Sequence, residues 1–373
     1  MRDSLKLNQR SSGIELLKII GICLIILSHC VQTAEKFVNF QAPTWNEALL
    51  IMRFLRFGGN AGNLIFVISS AYFLVDKSKV KPEKALTILF DSQIISIIIL
   101  GVTFIISRIV EISVKFDFRF VYENIFPDIF SKVWFIPAYV ILYLSHPFLN
   151  LIIESMNKKE HMRLDIILFF VFGVTMLVKG APQYSNLLGF FIIYFYVAYI
   201  KKYQKEYADD RKKNIKVFFI MLIIFITVVI VKNYLSFKLV WFRTFPNLQE
   251  MTSVVFFPMI MSLFNIFRSF DFTNKYINSV SSLTLFIYCI HENFIIRKYF
   301  RPYIYRVLSA KFGGYYFYYA VCLAVALFIS SLILSKIYQL TLHKLSSSLA
   351  IKFNNKLSSA FENFYSKKNP ENQ

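Results

Sequence analysis

Ten separated apolar stretches run through this chain, each long enough or nearly long enough to cross the ~30 Å hydrocarbon core of a bilayer. They fall at roughly 14–33, 49–75, 86–107, 133–153, 164–180, 187–200, 215–235, 252–267, 283–297 and 314–338. Inside lipid every backbone N–H and C=O must find its partner within the protein, and runs of helical length do so as α-helices. The expected fold is therefore an all-α, polytopic transmembrane bundle of about ten helices. The sixth, eighth and ninth stretches are short, which points to tilt, extension or a re-entrant path. Composition agrees: 56% of the 373 residues are hydrophobic and 18% aromatic, far from the usage of a soluble domain.

Loop charge sets the expected orientation. With both termini in the cytoplasm, the inner segments carry about 23 of the 42 Lys and Arg, as the positive-inside bias requires. Lys77, Lys79, Lys81 and Lys84 fill one inner loop, and Lys201, Lys202, Lys205, Arg211, Lys212 and Lys213 another. Arg297, Lys298, Arg301, Arg306 and Lys311 run against this pattern, placing a basic stretch outside. The net charge of +20 is thus a topology signal and implies no nucleic-acid partner. Residues 1–340 form one membrane domain, followed by a polar cytoplasmic tail, 341–373, whose last 20 residues are expected to fray. Leu27-Ser28-His29-Cys30 loosely resembles a lipoprotein cleavage box, but His before the Cys is wrong for that site and nine more stretches follow, so the first helix is read as retained. The four cysteines, Cys23, Cys30, Cys289 and Cys322, lie in or beside apolar segments and read as small buried hydrophobes.

Ionisable residues inside membrane helices are costly and mark functional positions. On the first helix Lys18 and His29 are eleven residues apart, an angular offset of only about 20° and a separation of roughly 16 Å along the axis. Glu15 lies one turn before Lys18 on the same stripe, placed for an ion pair. An imidazole with an ordinary pKa near 6.5 suits general-base work on a hydroxyl. Other polar groups are expected in the same leaflet as His29. Arg53, Arg56, Asn60 and Asn63 sit in the outer half of the second helix, where Gly58, Gly59 and Gly62 permit close approach or a break. Trp134 opens the fourth helix, and His291-Glu292-Asn293 ends the ninth. His291-Glu292 is no zinc-protease motif, since position 295 is Ile, and no metal is expected. His146, His161 and His343 fall on the inner side or in the tail and read as incidental.

Four stretches, in order, resemble the acyltransferase-3 family of integral membrane acyltransferases. They are Arg10-Ser-Ser-Gly-Ile-Glu15-Leu-Leu-Lys18 followed by ten residues and His29; Gly59-Asn60-Ala-Gly62-Asn63; Trp134-Phe-Ile-Pro137-Ala-Tyr139; and Phe286-Ile-Tyr288-Cys-Ile-His291-Glu292-Asn293. The resemblance implies transfer of an acyl group, most often acetyl from acetyl-CoA, to a hydroxyl of a cell-envelope polysaccharide such as capsule, with no permanently bound cofactor. It matches His29 to the family's essential His, Lys18 to its basic partner and Glu15 to an acidic position, a catalytic set of three. Two positions depart from the family pattern: Ser69-Ser70-Ala71 replaces Ile-Ser-Gly, and only Lys81-Pro-Glu-Lys84 stands where relatives carry Arg-x-x-Arg.

The expectation is a multi-pass plasma-membrane O-acyltransferase taking acyl-CoA from the inner face. Arg10, Arg53, Asn60, Asn63, Trp134, His291, Glu292 and Asn293 are the expected substrate-binding residues. The alternative is a polysaccharide or small-molecule transporter whose intramembrane charges line a path without chemistry.

Overall fold

The computed structural model describes residues 11–37, 47–109, 114–130, 132–174, 186–239, 250–312 and 316–368. The first half contains α1 (Ser12–Glu35), α2 (Glu47–Arg56), α3 (Gly58–Leu74), α4 (Pro82–Ile106), α5 (Phe118–Ile125), α6 (Phe135–Ser155), α7 (Lys158–Leu168) and α8 (Asn186–Tyr203). The second contains α9 (Lys205–Asp209), α10 (Arg211–Lys238), α11 (Phe256–Arg268), α12 (Lys275–Ser281), α13 (Thr284–His291), α14 (Arg301–Phe312), α15 (Tyr316–Thr341) and α16 (His343–Lys368). Every one of the ten apolar stretches coincides with a helix, although the fifth passes into a π-helical turn, Phe169–Val174, and its remainder lies outside the described residues. Six helices are long and apolar enough to cross a membrane among the described residues. A seventh span is formed if α12–α13 and the helix from Ile296, bent by 65° at a short break, are taken together.

The outer flanks are what a bilayer demands. Ile97, Ile98 and Phe104 on α4, Phe219, Ile223 and Ile224 on α10, and Ile329, Ile333 and Ile337 on α15 are all exposed. Apolar surface this extensive is stable only against lipid. Cys322 belongs to this exposed flank, whereas Cys30 and Cys289 are buried as expected.

α1 runs through the middle of the bundle, burying Leu17, Ile22, Ile25, Ile26, Cys30 and Val31, and packs against α2, α3, α11 to α15. Its closest neighbour is α3, and glycine is the reason. A Cβ on Gly62 would stand 2.3 Å from the Gly21 carbonyl oxygen and 2.5 Å from Ile25 Cγ1. One on Gly59 would stand 2.8 Å from Ser28 Oγ. The second apolar stretch also breaks, at Phe57, and Ser28 Oγ donates to the Arg56 carbonyl at 2.6 Å, satisfying a group that the break frees. Both options that the glycines allowed are therefore realised together.

The start of α1 is pinned from the other side. Ser12 N donates to Phe272 O at 3.1 Å, Ser12 Oγ to Asn278 Oδ1 at 2.8 Å, and Asn274 N to Ser12 Oγ at 2.7 Å. Gly13 lies so close to α11 that a Cβ would be 2.1 Å from Phe267 O. With both ends held, the Lys18–His29 stripe has a fixed orientation in the bundle.

The C-terminal tail differs from expectation. It is helical from His343 to Lys368, packs along α4, and buries Ser346 and Ala350. A tail rich in Lys and Asn reads as frayed when its propensity is judged alone, but contact with α4 supplies the stabilisation that an isolated helix lacks.

The glycine contact yields a direct test. Gly62→Ala is expected to destabilise the protein by about 1–3 kcal/mol through overpacking. Gly101→Ala, on a helix face with nothing within 4 Å of the added carbon, is expected to leave the thermal midpoint in detergent unchanged or slightly raised. Equal midpoints for the two variants would refute the close-packing account.

Candidate active site

His29 lies on the last third of α1, its side chain 19% exposed, and its Nδ1 stands 2.8 Å from Oε2 of Glu292. The contact is at ion-pair distance, although the ring N–H is not aligned on the oxygen. Glu292 follows the end of α13, where the chain turns through the 65° bend into the π-helical turn Ile296–Phe300 and α14. That bend lets a carboxylate on one segment and two guanidiniums on the next converge. Arg297 Nη1 donates to Oε1 of Glu292 at 2.7 Å, and Arg301 Nη2 lies 3.4 Å from Oε2.

Arg301 is only 2% exposed, and among the described residues it is the largest fully buried side chain. It also donates to the His291 carbonyl at 2.6 Å and reaches the His29 carbonyl at 3.5 Å. One guanidinium thus ties α1, the end of α13 and Glu292 together. An unpaired carboxylate buried in this way would carry a large desolvation penalty, and the two arginines offset it. These two cations come from the basic stretch whose placement conflicted with the positive-inside bias. They are turned inward on a carboxylate, so that stretch serves the site as well as the surface.

His291 is fully buried beside His29, the rings stacked with centroids 5.7 Å apart. Its Nδ1 lies 2.8 Å from the Ile287 carbonyl, which puts the proton on Nδ1 and leaves Nε2 as an acceptor with no protein partner. Asn293 faces away from the histidines. Its Nδ2 donates to Ser96 Oγ at 3.0 Å, Ser96 donates on to Asn124 O at 2.7 Å, and its Oδ1 accepts from Ile295 N at 2.9 Å. Asn293 therefore shapes the chain just after Glu292, a supporting task in place of the expected substrate contact.

His29, His291 and Glu292 each offer a ligand atom within 4.8 Å of the others, a grouping that the His291–Ile295 spacing did not reveal. Two His and one Glu are a known catalytic zinc set. Here, however, both oxygens of the only carboxylate are already engaged by guanidiniums, and a divalent cation would sit against them. The arrangement suits a proton-transfer dyad: the carboxylate holds the imidazole through Nδ1 and leaves Nε2 to face a hydroxyl.

The other end of the stripe opens on a cavity of about 680 Å³. Lys18 and Glu15 line it, paired at 3.1 Å as the i, i+3 spacing implied, and the Ser281 hydroxyl donates to the second Glu15 oxygen. Glu15 therefore holds Lys18 in place at the cavity wall. Lys81 and Lys84 also line the cavity, as does Ser70 from the divergent Ser-Ser-Ala stretch. Along α1 the lining extends to Ile25, one turn, or about 6 Å, short of His29. Tyr288 lines the deep end, and its ring meets that of His291 with centroids 5.6 Å apart.

The remaining expected site residues are scattered. Asn63 is buried and lines the cavity, its Oδ1 without a protein partner. Asn60 lies half-buried on α3 outside the cavity lining. Arg53 is held by the Asn233 side chain on α10, and Arg56 by Glu35 at 3.2 Å. Trp134 caps the start of α6 and packs on Phe135 and Phe190, a structural position. Arg10 lies outside the described residues.

The sequence model of the acyltransferase domain matches residues 11–342, nine-tenths of the chain, and takes in the whole cluster of His29, His291, Glu292, Arg297 and Arg301. This protein belongs to the acyltransferase-3 family. Among curated proteins and among solved structures, none matches it. It is thus a multi-pass membrane acyltransferase, and the transport alternative, which required charges without chemistry, falls away.

The charge balance around Glu292 predicts unequal costs. Arg301→Met leaves a buried carboxylate short of its buried partner and is expected to destabilise by about 3–5 kcal/mol. Arg297→Met, at a side chain 38% exposed, is expected to cost much less. Thermal midpoints of the two purified variants, compared with wild type, check the ranking.

Proposed function

We propose that this acyltransferase moves an acetyl group from acetyl-CoA to a hydroxyl of a cell-envelope polysaccharide, with His29 as general base. The observation that carries the reading is the His29–Glu292 contact set one helical turn beyond the deep end of a cavity whose wall bears Lys18, Lys81 and Lys84. In the orientation that the loop charges favour, the cavity opens to the cytoplasm, where acyl-CoA is made, and His29 lies toward the outer leaflet, where envelope glycans are finished. A phosphorylated donor suits the lysine-bearing mouth. A thioester on an extended, amide-containing arm suits the inner reach toward Ile25 and Tyr288, and Asn63 Oδ1 is an acceptor positioned for such an amide N–H.

The chemistry follows from proton bookkeeping. As the acceptor oxygen attacks the thioester carbon, His29 Nε2 takes its proton, and Glu292 on Nδ1 stabilises the imidazolium that forms. When the C–S bond breaks, the proton passes to the departing thiolate. Arg297 and Arg301 pair with the Glu292 carboxylate and fix it without touching substrate. His291 Nε2, an unpartnered acceptor beside the reacting ring, is placed to orient a hydroxyl of the acceptor. Lys18 lies about 16 Å and Glu15 about 21 Å from His29 along the helix, too far for the proton step, and both belong to the donor end.

Two substitutions test this. In cells lacking the gene, wild type is expected to restore the O-acetyl signals of envelope polysaccharide in proton NMR, and His29→Ala to restore none at equal protein level. Glu292→Gln is expected to lower turnover by about 10²–10⁴-fold, the range for loss of an orienting acid–base partner. Normal acetylation by His29→Ala would remove His29 from the chemistry.

A further inference from the structure

The matched acyltransferase domain stops at residue 342, yet the cavity does not: its wall continues onto α16 through His343, Ser347 and Ile351. These residues share the mouth with the exposed Lys81 and Lys84, with Glu83 the acid between them in sequence. The helix is fastened there by a buried polar junction. His343 Nδ1 lies 3.1 Å and 3.2 Å from the two oxygens of Asp91, which is 1% exposed in the middle of α4. Tyr338 Oη, from the end of α15, donates to the same carboxylate at 2.7 Å and shares a 2.7 Å hydrogen bond with Ser346 Oγ. Phe286 packs on both rings, with centroids 5.2 Å from Tyr338 and 5.3 Å from His343.

A buried carboxylate on a lipid-facing helix is costly and needs a reason. Anchoring a surface helix alone does not require an imidazole that also lines a cavity. With Nδ1 committed to Asp91, the ring orientation is set and Nε2 is the nitrogen available to a ligand. The neighbouring Lys81 and Lys84 favour an anion. Ile351, exposed on the next turn but one of α16, adds an apolar edge of the sort that a purine ring covers.

We infer that α16 is part of the donor site, and that His343, held by Asp91 and Tyr338, binds the phosphate-bearing nucleotide half of the acyl-CoA donor together with Lys81 and Lys84. The inference rests on the acetyl-CoA reading above. It extends recognition of the nucleotide beyond the matched domain, from Lys81 and Lys84 onto α16, and leaves the acyl arm to the residues within that domain. His343, which read as incidental in the sequence, becomes a binding residue, and Asp91 and Tyr338 become positioning residues.

The test uses full-length protein in detergent with two donors, acetyl-CoA and S-acetylpantetheine, which keeps the thioester arm but has no nucleotide. His343→Leu is expected to raise KM for acetyl-CoA about ten-fold, the loss of one charge-assisted hydrogen bond, with kcat and turnover of S-acetylpantetheine unchanged. Ser347→Trp, which narrows the mouth and removes only a bond from Ser347 Oγ to the His343 backbone carbonyl, is expected to raise KM for acetyl-CoA likewise while keeping the wild-type thermal midpoint. If wild type uses acetyl-CoA and both variants keep its KM, this inference is overturned and the acetyltransferase reading stands. Equal losses for both donors, with lowered thermal midpoints, would make α16 a structural strut only and overturn it too. Failure of wild type itself to bind or use acetyl-CoA would overturn the donor assignment together with this inference.

Discussion

A carboxylate buried in a membrane protein must be neutralised, and the site of this protein is organised around meeting that demand at Glu292. Its oxygens are met by Arg297 and Arg301, from the segment beyond a sharp bend, and by the His29 imidazole of the central helix. Because Arg301 also bonds the His291 and His29 carbonyls, the same guanidinium that balances the charge fixes where the two histidines stand. Stability and the geometry of the candidate site are therefore not separable here. The break after α13 costs backbone hydrogen bonds, and Asn293 Oδ1, accepting from Ile295 N, and Arg301, donating to the His291 carbonyl, satisfy part of what it exposes.

The second constraint is the closeness of α1 and α3. Gly21 against Gly62, and Ser28 against Gly59, bring the helices near enough for Asn63 to face the cavity beside the stripe that carries Lys18. Without side chains at those glycines, van der Waals contact between backbones replaces the hydrophobic effect, which lipid does not provide between helices. One helix then serves two tasks about 16 Å apart: a charged pair at the cavity mouth and an imidazole near the opposite face.

Much of this was legible in the chain. Apolar run lengths located the six helices that are long and apolar enough to span among the described residues, the eleven-residue spacing aligned Lys18 with His29, and the i, i+3 spacing paired Glu15 with Lys18. Four short motifs pointed to the family whose domain matches residues 11–342. Less legible were the partners. Glu292 stood beside His291 in the chain and read as a substrate contact, while the His29 imidazole it meets was 263 residues away. Arg297 and Arg301 registered only as a breach of the positive-inside bias, a signal of misplaced charge without an address. His343 and Asp91, 252 residues apart, carried no signal at all until α16 folded back on α4.

What the sequence by itself determined about this protein is its class: the periodicity and length of apolar runs depend on local backbone satisfaction in lipid, and local physics is written locally. It also determined which side chains share a face of α1, because a helix has one pitch. Which charge neutralises which, where the second span breaks and what closes the cavity were decided only in the tertiary structure. Those outcomes depend on the pairing of buried groups across helices, and the desolvation energy that drives each pairing exists only once the helices have met.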